Sequence, residues 1–260
     1  MTAILRNESR RLQRGSVILT GALALTTAFF LAVFPAIREE AELIQEVYPE
    51  YMITLLGFEE LHTIEGFAAG YVYPFVWIVF GGVYFAYVGG GMIAGDVRSR
   101  KMDLTLSNPV SRESVLAQKV AALWVPTVTL NTGVALVVFL GAIALGETFD
   151  PIGLAMVHLL SVPYLLVCAG IGLVLSVWID RVGTAQVTAL GLVFMLWLVD
   201  GISQMESEFE WIGYGTPSRY YDPTEILVHG EYALLDASLL LVGFLALFGV
   251  ATIVFTRRDI

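Results

Sequence analysis

The chain has 260 residues, 57% hydrophobic and 15% charged, with a mean hydropathy of +0.76 and a formal net charge of −10. Soluble domains carry about 25% charged residues, so a water-soluble globule is excluded. Cys168 is the single cysteine, which excludes a disulfide framework and a thiolate zinc cluster.

Charge-free runs define the elements: Gly15–Ile37, Gly66–Gly95, Val120–Gly146, Pro151–Ile179, Val182–Val199 and Ala237–Thr256. Each approaches the ~20 residues that cross a ~30 Å hydrocarbon core. Helices are expected, since barrel strands would alternate in polarity. The fold class is all-α: a polytopic membrane protein with six transmembrane helices, forming one domain over residues 1–260. The approximate spans are 16–37, 71–94, 120–145, 153–179, 183–204 and 237–256. A loop at 95–119 and outer segments at 38–70 and 205–236 separate them.

Residues 2–14 read as a short amphipathic helix on the inner membrane surface. Arg6, Arg10 and Arg14 share a face, with Arg11 at its edge and Ile4, Leu5 and Leu12 opposite. Glu8 falls within the apolar face and breaks the pattern. "SRRLQR" (Ser9–Arg14) resembles a twin-arginine export signal. The following run is longer than a signal core and no small-residue cleavage site follows it, so a retained first span is expected.

The outer segment from Arg38 to Glu65 mixes glutamates with Leu43, Ile44, Val47, Leu55, Leu56 and Phe58, a pattern for short interfacial helices. The second span carries Gly82, Ala86, Gly90 and Ala94 at four-residue spacing, which permits close helix packing. The third and fourth spans join through the outer turn "ETFDP", and the fourth and fifth through an inner turn holding Asp180 and Arg181. In the second outer segment "DPTE" (Asp222–Glu225) is a helix start, with Asp222 as cap and Pro223 in the first position.

With the N-terminus inside, all of the 14 basic residues except Arg38 and Arg219 fall on the inner side. Only Glu8, Asp96, Asp103, Glu113, Asp180 and Asp259 of the 24 acids join them. This positive-inside bias predicts cytoplasmic termini and an acidic exterior. Acid excess with only two lysines suggests a salt-loving source.

Catalytic signals are missing. No Walker A, HExxH or CxxC pattern occurs, and His62, His158 and His229 are far apart. The span centres carry no acid or base, which argues against an ion-coupled transporter. No catalytic, metal or cofactor-binding residue is assigned, and no nucleic acid partner is implied. The polar stretch Gly95–Lys119 stands out instead. Its charges, Asp96, Arg98, Arg100, Lys101, Asp103, Arg112, Glu113 and Lys119, make it aqueous, while Leu104, Leu106 and Val110 interleave with them. Pro109 breaks one helix and Ser111 caps the next. A helix–break–helix of this kind suits contact with a partner.

The stretch resembles the first inner loop of permease subunits of type-2, exporter-class ABC transporters, which runs like E-R-E-S-G-T-L-E-L-L-L-S-L-P-V-S-R with a later Lys. Asp96, Ser99, Asp103, Leu104, Leu106, Ser107, Pro109, Val110, Ser111, Arg112 and Lys119 fall in register. The family's Gly-Thr is replaced by Arg100-Lys101. The arginine-rich start, the six spans, the helical segment after the fifth and the closing "FTRRDI" extend the likeness.

The resemblance implies a permease that pairs with a second copy or paralogue in the plasma membrane. Each permease rests on a separate ATPase subunit that uses ATP and Mg. The loop would be the coupling element, with Asp96, Arg98, Arg100, Lys101, Asp103, Ser107, Pro109, Ser111, Arg112, Glu113 and Lys119 as candidate docking residues. The start would be an elbow helix, and the segment after the fifth span part of an external gate. Apolar spans with scattered Thr and Ser favour an amphipathic or lipid-like substrate, with membrane lipid as a further partner. Related permeases assist copper-enzyme maturation, but no copper site is evident. A signalling or anchoring protein, or a membrane enzyme, is the alternative.

Overall fold

The structure is a computed structural model that describes residues 3–41, 43, 47, 60–205 and 208–258. Among these residues there is no strand. Six helical stretches are long and apolar enough to cross a membrane: Ala3–Glu39, Ile64–Arg98, Arg112–Ala144, Pro151–Trp178, Val182–Ser203 and Leu234–Arg257. The interfacial helices expected between Arg38 and Glu65 lie largely outside the described residues.

Helix α1 (Ala3–Glu39) runs unbroken through Gly15, so the amphipathic start and the first span are one element rather than two. The second span begins at Ile64, earlier than the charge pattern suggests. Thr63 caps α2 (Ile64–Phe67), accepting from Gly66 N at 3.1 Å, and the small residues Ala68, Ala69 and Gly70 then bury the next turns. A π-helix follows over Ala68–Gly81 and contains Pro74, whose missing N–H suits a stretch outside the α ladder. Helix α3 (Gly82–Gly91) continues to a turn at Met92–Ile93, before α4 (Ala94–Arg98). The N–H groups of Ile93 and Ala94 at that turn both donate to Ser176 Oγ, each at 3.0 Å.

The third span is α6 (Arg112–Ala121) and α7 (Trp124–Ala144), offset by a short turn. The fourth is α8 (Pro151–Trp178), which Asp150 caps by accepting from Ile152 N and Gly153 N at 3.1 and 2.7 Å. The fifth is α9 (Val182–Ser203), a short α10 (Glu210–Gly213) follows it, and the sixth is α12 (Leu234–Arg257). The most apolar stretches of the second and fourth spans are each 67% buried, against 17–22% in the other four. These two helices form the centre and the rest surround them.

Glycine sets how closely the central pair approaches. A β-carbon on Gly89 would stand 2.1 Å from the carbonyl oxygen of Ala169, and one on Gly172 2.1 Å from that of Ala86. The four small residues singled out from the sequence all lie on contacts. Gly82 faces the Tyr164 hydroxyl, Ala86 receives Gly172, Gly90 lies on the backbone of Ala185 and Gln186, and Ala94 meets Ser176. The tightest approaches use Gly89 and Gly172, outside that stripe.

A polar chain crosses the bundle near the start of the fourth span. Asn131 Nδ2 donates to Thr127 O (2.7 Å), which turns Asn131 Oδ1 toward His158 Nδ1 at 3.2 Å. With Nδ1 thus carrying the proton, Nε2 accepts from the Tyr73 hydroxyl at 3.2 Å. Above it, α11 (Pro223–Leu227) starts as the sequence predicts, with Asp222 Oδ1 accepting from Thr224 N at 2.7 Å. Tyr221, stacked on Tyr164, donates to Val157 O at 3.0 Å, and burial pushes its phenol well above the ordinary value. It therefore stays protonated and keeps the outer segment seated on the fourth span.

Candidate functional site

The loop at 95–119 is helical on both sides of its break. Helix α5 (Lys101–Leu106) stops before Pro109, and Ser111 Oγ accepts from Ser114 N at 3.2 Å to start α6. Two turns set its entry. Ser99 Oγ donates to Gly95 O at 2.8 Å, and Arg100 then adopts φ 55 and ψ 17, the left-handed region. Arg100 is the one non-glycine with positive φ among the described residues. It stands where the resembling pattern has glycine, so the backbone keeps the glycine conformation under an arginine. Holding a β-carbon there costs about 1–2 kcal/mol, partly offset by the extra chain entropy of glycine in the unfolded state. Arg100→Gly is expected to stabilise the detergent-solubilised protein by about 1 kcal/mol, raising its thermal midpoint by about 2–4 °C. A lower midpoint would show that the arginine side chain makes up for the strain.

Helix α5 is fastened by Met102, which is fully buried, while Leu106 and Val110 pack partly against the core. Its outer face presents Lys101, Asp103, Leu104 and Ser107, and Leu104 is 71% exposed. Arg98, Arg100, Pro109, Ser111 and Glu113 are exposed around it. Of the candidate docking residues, Asp96 and Lys119 are buried and Arg112 is half-buried. Arg112 Nη1 donates to the carbonyls of Phe255 (3.0 Å), Thr256 (3.4 Å) and Arg258, at the end of the sixth span. Last-turn carbonyls lack helical partners, and a guanidinium satisfies them.

Asp96 and Lys119 close the base of the loop. Lys119 Nζ lies 2.5 Å from Asp96 Oδ2 and 2.9 Å from Glu8 Oε1. Arg11 Nη1 lies 2.9 Å from Asp96 Oδ1 and 3.7 Å from Glu8 Oε2. The Lys119 side chain is 2% exposed, and those of Asp96 and Glu8 are 7% and 10%. Two carboxylates and two cations alternate, so the cluster is neutral and each charge touches two of opposite sign. The departure of Glu8 from the amphipathic pattern was the signal of this site in the sequence, though nothing there identified Lys119 as its partner. A loop whose acid and lysine are read as docking groups instead has them as the inward clasp of its two ends.

On the side wall, the first, second and fifth spans line an open apolar depression of about 390 Å³, walled by Leu19, Leu23, Phe80, Val83, Tyr84 and Leu190. Among the described residues, no three His, Cys, Asp or Glu side chains gather as metal ligands would.

The chain thus has six membrane helices, four of them around two central ones, with a clasped helical loop between the second and third. The family described as ABC-2 family transporter protein matches residues 3–260. Comparisons with curated proteins and with solved structures give no match. In that family the membrane subunit works with a separate ATPase. The chain belongs to the ABC-2 transporter family and is a multi-pass membrane permease subunit.

Proposed function

We propose that this permease is one membrane half of an ATP-driven exporter of an amphipathic or lipid-like substrate, and that α5 is where its ATPase subunit docks. The observation that carries the docking reading is the shape of the loop. An exposed face of Lys101, Asp103, Leu104 and Ser107 stands on a buried anchor, Met102, over a closed ionic base. A large apolar side chain exposed amid charges is the composition of an interface centre with a polar rim. ATP and Mg act on the partner subunit. The arginine distribution supports a cytoplasmic position for both termini and the loop. A second copy or paralogue completes the pathway. The open apolar depression beside the first span agrees with this substrate class, because its side chains offer little to an ion.

The test uses Cys168→Ala with Ser107→Cys. In sealed cells the new thiol is expected to resist an impermeant maleimide, and in inverted vesicles to react and to crosslink to the ATPase. Leu104→Glu is expected to weaken ATPase association at least about tenfold, the effect of placing a charge at the centre of an apolar contact. Labelling from outside the cell would overturn the topology. Normal association with Leu104→Glu and no crosslink would move the docking surface away from α5.

A further inference from the structure

The ionic base of the loop joins three helices that are far apart in sequence: Glu8 and Arg11 on α1, Asp96 on α4 and Lys119 on α6. Neighbouring contacts strengthen the same joint. Trp124 Nε1 donates to Ser9 Oγ (3.1 Å), Leu5 N to Gln118 Oε1 (3.4 Å), and Ser16 Oγ lies 3.3 Å from the Tyr84 hydroxyl. The inner end of α1 is thus tied by directional polar contacts to both arms that carry α5. From this joint α1 runs on without a break to Leu19 and Leu23, which form part of the wall of the apolar depression. Glu8 to Leu23 along one helix is a lever of about 22 Å.

We propose that Glu8 and Lys119 are positioning residues that make the first span move as one body with the inner loop, so that the ATPase stroke reaches that wall through α1. This rests on the reading that the ATPase docks on α5. An apolar pair of similar volume would hold the fold as well as a buried ion pair does. Charge-assisted hydrogen bonds, by contrast, fix direction and register, which apolar packing does not. The cluster is built from the fixing kind.

The experiment removes the tie while keeping the cluster neutral. Glu8→Leu with Lys119→Met deletes one anion and one cation and leaves the Arg11–Asp96 pair. Movement of the wall is followed in the Cys168→Ala background by the rate at which a membrane-soluble maleimide labels Thr26→Cys, a position lining the depression, with and without ATP, Mg and vanadate. Docking is followed separately by the Ser107→Cys crosslink. In the otherwise unaltered chain, nucleotide is expected to change the labelling rate at least about threefold. In the double variant the crosslink is expected to persist and the change in rate to vanish. A second variant, Glu8→Asp, shortens the reach by one methylene, and is expected to reduce the nucleotide effect at least about twofold while insertion stays normal. It carries the test if the double variant fails to insert. A crosslink with an undiminished nucleotide effect in the variants overturns this proposal alone. An unaltered chain whose wall does not respond to nucleotide overturns it too. Absence of the crosslink in the unaltered chain sinks the docking reading, and this proposal with it.

Discussion

Gly172→Ala is expected to destabilise the bundle by at least about 3 kcal/mol, and Gly172→Leu to prevent stable insertion. The added methyl would meet Ala86 O at 2.1 Å and Gly90 N at 2.7 Å. Both obstacles are backbone atoms of a helix, so no side chain can turn aside to make room. The second and fourth spans would have to separate along the most buried part of the molecule, and lipid does not replace the packing that is lost. Gly89→Ala meets Ala169 O at 2.1 Å from the other side and is expected to behave alike. Val83→Leu is the control, because Val83 lines the open apolar depression, where an added methylene has room. Thermal denaturation in detergent, followed by size-exclusion of the surviving monodisperse fraction, measures Gly172→Ala, Gly89→Ala and Val83→Leu. Midpoints of Gly172→Ala and Val83→Leu within 2 °C of each other would mean that the helices can part at little cost.

Lys119→Met alone is expected to cost about 3–5 kcal/mol, the usual penalty for leaving a buried charge uncompensated. It leaves Glu8 and Asp96 with Arg11 as their one cation, where two now serve them. Adding Glu8→Leu restores neutrality, so most of the loss is expected to return, giving a large favourable coupling in the double-mutant cycle. Salt is expected to change this little, since counter-ions screen buried pairs much less than exposed ones. Additive effects of the two changes would mean that water reaches the cluster and solvates each charge by itself.

The spans were legible because lipid demands long uncharged runs, and the caps at Ser111 and Asp222 because a side-chain oxygen before a helix has one common use. The inner cluster was not. Glu8 and Lys119 are 111 positions apart, and only packing brings them together. Arg112 looked like a surface charge for the same reason, since its partners are carbonyls of the last helix, which no composition reveals. Among 25 glycines, a four-residue stripe was the visible pattern, yet Gly89 makes a tighter contact than any member of the stripe. Which face of a helix looks inward depends on its neighbours.

One reason that face was hard to find is the π-helix in the second span. Tyr73 meets His158 and Gly89 meets Ala169, both on the fourth span. Sixteen residues of α-helix, at about 100° each, would put these two positions some 160° apart, on nearly opposite sides. Bonding i→i+5 turns the chain by less per residue, which narrows that offset. The wide stretch acts as a phase shifter. It lets a single helix show an aromatic, hydrogen-bonding upper half and a bare glycine lower half to the same neighbour.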